Sequence, residues 1–173
     1  MIKDNQHYRI LAVEDNPGDF VLIGEYLQER MELPVIVHAP DYRTAKDHMQ
    51  ARPSGFDVIL LDLSLPDKNG YELVQDALKQ AGTTPVIVLT GNNNIGLSIR
   101  SIRYGVSDYL LKDELTADAL YKSITHSIER KNVYRKLIES EQRFSHLFHQ
   151  RPQPTWVCEK DSFRIVQVNR AAI

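Results

Sequence analysis

The sequence predicts an α/β fold in which helices cover both faces of a doubly wound, five-stranded parallel sheet. Three observations support this prediction. Five short apolar runs alternate with segments of helical length over the first 130 residues, which is the element order of a parallel sheet with right-handed crossovers. The runs are apolar throughout, as expected where both sheet faces are covered. Helix-start and helix-stop residues separate the runs.

The first half of the chain supplies two strands and two helices. The run "YRILAV" at 8–13 predicts the first strand, and the helix at 16–31 has a clear start. Asn16 is placed to cap it, Pro17 takes its first position and Asp19 lies in its first turn. The run "PVIVHA" at 34–39 predicts the second strand, and the polar segment 41–52 predicts a helix that closes before Pro53.

The second half continues the alternation. Strands are predicted at 56–62, 84–90 and 107–112. Helices are predicted at 69–82, 94–105 and 116–148. Gly82 and Gly105 are placed to end the first two of these helices, because glycine readily adopts the left-handed conformation that follows a last turn.

Composition limits the function classes. The chain has 173 residues, of which 42% are hydrophobic and 25% charged, and 21 basic against 23 acidic residues give a net charge of −2. That balance favours neither a nucleic-acid nor a membrane surface. Cys158 is the single cysteine and fits a reducing compartment. With neither a signal peptide nor an apolar run of about 20 residues, we expect a cytoplasmic protein.

Polar residues stand at the carboxyl ends of the predicted strands or directly after them. In such a sheet, ligands bind beyond the carboxyl ends of the strands. Taken singly, each of these residues has an ordinary role as a helix cap, a loop acid or a surface cation. Together they gather three carboxylates, a hydroxyl and an ammonium at one edge. They are Glu14, Asp15, Asp62, Thr90 and Lys112.

This set indicates a metal-assisted phosphoryl site. Two carboxylates about 5 Å apart repel by about 3 kcal/mol at an effective dielectric near 20, so a cation is needed. Oxygen ligands favour Mg²⁺, which commonly shares its shell with phosphate oxygens. Lys112 and Thr90 can then meet the phosphoryl oxygens. Asp62, fixed at the end of a rigid strand, is a competent carboxylate nucleophile.

Residues Tyr8 to about Arg130 resemble the receiver domain of two-component response regulators, which has a flavodoxin-like fold. The matching segments are "LAVEDNPGD", "VILLDLSLPDKNGYEL", "PVIVLTG" and "GVSDYLLKDEL". The resemblance implies that a histidine kinase or a histidine phosphotransfer domain donates a phosphoryl group to Asp62, as in bacterial signalling proteins.

The resemblance also implies roles for the other site residues. Asp15 and Asp62 would bind Mg²⁺ directly, Glu14 through water, and Ser64 through its backbone carbonyl. Thr90 and Lys112 would contact the phosphoryl group. Thr90 and Tyr109 would form the conformational switch. Ser64 and Asn92 would tune the rate of dephosphorylation.

Two positions depart from the family pattern. Glu14 stands where many members have aspartate, and its longer side chain still reaches a metal through water. Asp113 follows Lys112 where the family usually has a proline in a cis peptide. Because a non-proline cis bond costs about 3 kcal/mol, we expect a trans bond here.

The segment after the receiver predicts a long helix. Leu137, Phe144 and Phe148 extend an apolar stripe within the charge-rich stretch that follows Arg130. No sheet remains for this part to cover, so a helix pair between two subunits is the favoured interpretation. We therefore expect a homodimer. The alternative is a helix that packs only on its own domain.

Residues 139–173 resemble the start of a PAS domain, with the pattern "RFSHLF…PQPTWV…IVQVNRAA". The expected organisation is a receiver at 1–130, a helical linker at 131–148 and an incomplete PAS segment at 149–173. A stretch below about 40 residues rarely supports its own core. We therefore expect a fragment whose PAS-like strands are frayed or paired with another copy.

The predicted function is a phosphorylation-dependent receiver that signals through the helix to a PAS-linked output, with a histidine kinase as the expected effector. One alternative is a pseudo-receiver, an interaction module that is never phosphorylated. A flavodoxin-like cofactor carrier would need a phosphate loop where the acidic "EDNPGD" stands. A haloacid-type hydrolase would need a second acid where Ser64 stands.

Overall fold

The computed structural model describes residues 3–52, 55–91 and 105–173. The chain divides into two compact units, Met1–Lys131 and Asn132–Ile173. The helix Ala117–Gln150 begins in the first unit and ends in the second.

The first unit contains a five-stranded parallel sheet in the order β2-β1-β3-β4-β5, which confirms the predicted fold class. Its strands are β1 (Arg9–Val13), β2 (Val35–Ala39), β3 (Val58–Asp62), β4 (Val86–Thr90) and β5 (Asp108–Leu111). The helices are α1 (Pro17–Arg30), α2 (Tyr42–Ala51), α3 (Gly70–Ala81) and α4 (Ala117–Gln150). The predicted helix 94–105 lies outside the described residues except for Gly105.

The strand order creates a switch point between β1 and β3. The chain passes from β1 outward to β2, then returns to place β3 on the other side of β1. Parallel sheets open a crevice at such a reversal, beyond the carboxyl ends of the two strands. The residues that end β1 and β3 are therefore neighbours.

Local sequence explains where the helices begin and end. Asn16 caps α1, since its side-chain oxygen accepts a hydrogen bond from the Gly18 N–H at 2.9 Å. Asp41 caps α2 by accepting from the Thr44 N–H at 2.7 Å. Gly82 ends α3 with a φ of +59°, a conformation that glycine adopts readily.

Each central strand contributes side chains to both faces of the sheet. Leu11 and Leu61 pack with the residues of α2 and α3, whereas Ile10 and Leu60 face α1 and the first part of α4. Both clusters consist of buried apolar side chains, and β3 and β4 are buried along their whole length. The two edge strands are only half-buried, because an edge strand lacks a neighbour on one side.

The second unit holds the rest of α4 and a two-stranded antiparallel sheet. This sheet pairs β6 (Trp156–Cys158) with β7 (Ile165–Val168). The two strands thus pair with each other, whereas we expected fraying or pairing with another copy. Most of their side chains are exposed. In the described part of the chain, no helix combines the length and apolar character that a membrane crossing requires.

Because the central strands are buried on both faces of the sheet, we expect a substitution in their core to lower the stability of the protein. Leu60 is 1% exposed at the centre of the sheet, so Leu60→Ala leaves a cavity and should lower the free energy of unfolding by about 2–5 kcal/mol. Urea denaturation followed by circular dichroism measures the change. Leu33, which is 61% exposed, is the matched control, and Leu33→Ala should cost less than about 0.5 kcal/mol. Equal losses in the two variants would contradict this account of the core.

Candidate functional site

Three carboxylates meet at the carboxyl edge of the sheet, as the sequence predicted. Glu14 directly follows β1, Asp15 comes next, and Asp62 is the last residue of β3. One oxygen from each lies within 4.8 Å of the others. Glu14 is 1% and Asp62 5% exposed, while Asp15 faces solvent. Such a cluster is unfavourable unless positive charge offsets it.

The Lys112 ammonium supplies that charge. Its Nζ lies 2.7 Å from Glu14 Oε2, 2.8 Å from Asp62 Oδ2 and 2.9 Å from Asp19 Oδ2. Lys112 directly follows β5, two strands away from β3 in the sheet. Its long side chain therefore reaches across the edge to join residues from β3, α1 and the loop that precedes α1.

Burial and charge act in opposite directions on these groups. Burial raises the pKa of the Glu14 carboxyl to about 7, although the contact with Lys112 partly opposes the shift. Burial also acts to lower the pKa of Lys112. Its contacts with Asp19, Asp62 and Glu14 outweigh that effect and raise the pKa above the usual value for lysine. Lys112 therefore stays charged.

Three more predicted residues, Ser64, Thr90 and Tyr109, lie on the strands that carry this cluster or directly next to them. Thr90 ends β4, next to β3, and is fully buried. The Ser64 N–H donates to Asp62 Oδ1 at 3.2 Å. Tyr109, in β5, packs beside the buried cluster of Leu63 and its neighbours. Asn92 lies outside the described residues.

The chain after Lys112 follows a trans path. The described residues contain no cis peptide bond, which agrees with the expectation for Lys112–Asp113. Residues Lys112–Glu114 form a short 3-10 turn. Asp113 stands where the family usually has a proline, and Lys112 still contacts Asp62.

The acid cluster fits a hard divalent cation. All its donors are oxygens, and their separation lets one ion approach all three. Among the described residues, Glu14 Oε2 is buried without a hydrogen bond, and its one polar contact is the ion pair with Lys112. In the part of the chain that the structure describes, the cluster brings four carboxyl groups, including that of Asp19, close to the one ammonium of Lys112. An Mg²⁺ ion would offset this excess of negative charge.

Sequence reasoning missed two residues of this site. Asp19 was noted only as a first-turn acid of α1, yet it pairs with Lys112 across 93 positions of sequence. His38, in β2, hydrogen-bonds through Nε2 to the backbone oxygen of Glu14 at 2.8 Å. Both lie at the carboxyl edge, where helix α1 begins and strand β2 ends. That position in the predicted fold is the signal that could have identified them.

Comparisons with known proteins agree with this architecture. Residues 10–125 match the family model of the response regulator receiver domain. The probable transcriptional regulatory protein SilR of Salmonella typhimurium is 32% identical over 114 residues, which are 65% of this chain and 47% of that protein. The two-component response regulator ARR14 of Arabidopsis thaliana is 28% identical over 134 residues, 78% of this chain and 34% of that protein.

This chain thus spans less than half the length of these two curated relatives, of which one comes from a bacterium and the other from a plant. Among solved structures, the signal receiver domain of a putative Luxo repressor protein from Vibrio parahaemolyticus is 27% identical with a TM-score of 0.65. That match covers 76% of this chain and 98% of that one. NtrX from Brucella abortus is 24% identical with a TM-score of 0.70. That match covers 80% of this chain and 31% of the NtrX chain, and at this identity it supports the fold alone.

The burial of Glu14 predicts a pH dependence of stability. Its pKa is raised from 4.5 to about 7 on folding, so the folded state binds more protons than the unfolded state between these values. The contribution of Glu14 to stability is therefore present at low pH and is lost as the pH rises through about 7. Denaturation in EDTA at several pH values should show a smaller decline for Glu14→Gln than for the wild type. Glu25→Gln, at an exposed position on α1, is the control, and identical profiles for all three proteins would disprove the assignment.

Proposed function

The chain belongs to the response regulator receiver domain family, and we propose that it is a phosphorylation-dependent receiver in which Asp62 accepts the phosphoryl group. One observation carries the proposal. Asp62 is held at the end of a buried strand, with Oδ2 at 2.8 Å from Lys112 and Oδ1 accepting the Ser64 N–H. Its carboxylate is therefore oriented and charge-stabilised, as a nucleophile must be.

The acid cluster would hold the metal. Asp15 and Asp62 would provide direct carboxylate ligands, Glu14 would act through water, and Ser64 would contribute its carbonyl. When bound, Mg²⁺ supplies positive charge that offsets the developing charge on the phosphoryl oxygens. The burial of Glu14 and Asp62 favours such an ion, because their charges are poorly screened by water.

The transfer reaction needs few protein groups. A histidine kinase or histidine phosphotransfer domain would present a phosphohistidine. The P–N bond breaks with its electron pair returning to the imidazole, and a bond forms between phosphorus and an Asp62 oxygen. Lys112 and the Thr90 hydroxyl would bind phosphoryl oxygens, which requires Lys112 to exchange some carboxylate contacts for the phosphoryl group.

Thr90 and Tyr109 would respond to phosphorylation of Asp62. Thr90 is fully buried beside β3, and Tyr109 packs against the cluster that includes Leu63, the residue after Asp62. Movement of Thr90 toward a phosphoryl group would alter the space available to Tyr109. Ser64 and Asn92 are proposed to tune the dephosphorylation rate.

We further propose that residues 149–173 begin a PAS-linked output, with a histidine kinase as the effector. Asn169 supports this proposal. Its Oδ1 accepts from the Thr155 N–H at 2.9 Å, and its Nδ2 donates to the carbonyls of Gln153 at 2.8 Å and Arg151 at 3.2 Å. One buried side chain thus ties the end of β7 to the segment that enters β6, in the part of the sequence that matches the PAS pattern.

The second half of α4 is proposed to pair with a second copy. Val133, Leu137, Phe144 and Leu147 are each more than half exposed. They follow alternating spacings of four and three residues, with Ser140 at the remaining position. This is the spacing of a coiled-coil seam, and burying it in a dimer would remove these side chains from water.

One observation favours the alternative of a pseudo-receiver. The Lys112 ammonium contacts three carboxylates of the pocket and offsets part of their charge, so a receiver that is never phosphorylated could keep the same pocket. The two functions differ in whether Asp62 reacts.

Phosphorylation of Asp62 can be tested directly. Incubation of the full chain with Mg²⁺ and acetyl phosphate should add the mass of one phosphoryl group, and EDTA should prevent it. Asp62→Asn should abolish the addition, because an amide is not a nucleophile of this kind. Asp47→Asn, at an exposed position on α2, should react like the wild type. An unmodified wild-type protein under these conditions would favour the pseudo-receiver.

Dimerisation through α4 can be tested with two substitutions that each add one carboxylate, one on the proposed seam and one away from it. Leu137→Glu places a carboxylate on the proposed seam and should convert the dimer to a monomer in light scattering coupled to size exclusion. Gln142→Glu adds the same charge at an exposed position away from that row and should leave the dimer intact. A monomeric wild type at micromolar concentration would refute the proposal.

A further inference from the structure

The loop that carries two of the acids is held against β2 by a side chain. The parallel ladder between β1 and β2 extends one residue past β1, where the Glu14 N–H donates to the Ala39 carbonyl at 3.0 Å. The next donor in a parallel ladder would come from Asp41. Strand β2 ends at Ala39, however, and Pro40 follows it. The His38 ring provides the hydrogen bond in its place, with Nε2 at 2.8 Å from the Glu14 carbonyl oxygen.

This contact determines the tautomer of His38. A carbonyl oxygen only accepts hydrogen bonds, so Nε2 must carry the proton. The neutral ring is then the Nε2–H tautomer, with an unprotonated Nδ1. Both backbone groups of Glu14 are thus fixed, the N–H by Ala39 and the carbonyl by His38.

His38 also contacts the far end of the loop. Its ring stacks on Phe20 with centroids 3.9 Å apart and an angle of 19° between the planes. Phe20 lies in the first turns of α1, directly after Asp19, which pairs with Lys112. One ring therefore holds both ends of the segment that supplies Glu14, Asp15 and Asp19.

We propose that His38 is a positioning residue for the acid pocket. It fixes the loop between β1 and α1, so that Glu14 and Asp15 are preorganised for Mg²⁺ and Asp19 for Lys112. The inference rests on the proposed function, because it concerns the same metal-dependent site. Groups that orient ligands from behind typically change metal affinity 10- to 100-fold when removed.

Two substitutions separate the two contacts of His38. His38→Phe keeps a ring to stack on Phe20 but removes the hydrogen-bond donor. His38→Gln keeps an N–H donor at a similar reach and removes the stack. His126→Phe makes the same replacement as the first at an exposed position on α4 and serves as the control.

Calorimetric titration of the full-length chain with Mg²⁺ provides the main measurement. We expect His38→Phe to weaken Mg²⁺ binding about tenfold, His38→Gln less than about threefold, and His126→Phe not at all. At Mg²⁺ concentrations below saturation, His38→Phe should be phosphorylated by acetyl phosphate more slowly than the wild type, and added Mg²⁺ should narrow the difference. Nitrogen NMR of the wild type should show His38 protonated at Nε2 and not at Nδ1 in its neutral form.

The outcomes separate this inference from the proposed function. If the wild type binds Mg²⁺ and is phosphorylated while His38→Phe has unchanged affinity, the role of His38 is overturned and the receiver function stands. An Nδ1–H tautomer would overturn it in the same way. If the wild type takes up neither Mg²⁺ nor a phosphoryl group, both proposals fail. A fall in stability of His38→Phe in EDTA with unchanged Mg²⁺ affinity would reduce His38 to a purely structural role and so also overturn the inference.

Discussion

The ion pairs of one half-buried lysine hold the candidate site together. Lys112 contacts carboxylates from β3, from α1 and from the loop between β1 and α1. Without that ammonium, Glu14 and Asp62 would bring two carboxyl groups together in a poorly hydrated pocket, and their repulsion would oppose the closing of the sheet edge. The need for positive charge at this point constrains the paths of β3, α1 and the loop between β1 and α1, whose carboxylates Lys112 joins.

The fold meets that need through its strand order. Because the winding reverses between β1 and β3, the ends of these strands are adjacent, and their buried lengths leave little freedom at the last residue. Asp62 is thus fixed by a strand, whereas Glu14 and Asp15 stand on a loop. The loop needs separate anchors, which the structure provides through Ala39, His38 and the Asn16 cap. The strand-held Asp62 and the loop-held Glu14 then share the Lys112 ammonium.

The second unit buries much less of its apolar surface than the first. Its hairpin and the end of α4 leave many apolar side chains exposed, among them Trp156 and Phe163. Besides the pairing of β6 with β7, three hydrogen bonds of the Asn169 side chain connect the end of β7 to the segment that leads into β6. A small sheet with so little apolar burial gains little stability of its own. Its exposed apolar surface is suited to burial against further structure.

The sequence by itself determined the order of the described elements in the first unit, the ends of α1, α2 and α3, and the acids at the carboxyl ends of β1 and β3. These features depend on hydrophobic periodicity and on caps such as Asn16 and Gly82, which act within a few residues. Only the tertiary structure decided that Asp19 pairs with Lys112, that His38 completes the ladder beside Glu14 and that β6 pairs with β7. The first two contacts join segments far apart in the chain, and the third depends on a register that local pattern does not fix. Their geometry depends on how the sheet and the hairpin assemble, and no local rule of sequence contains that information.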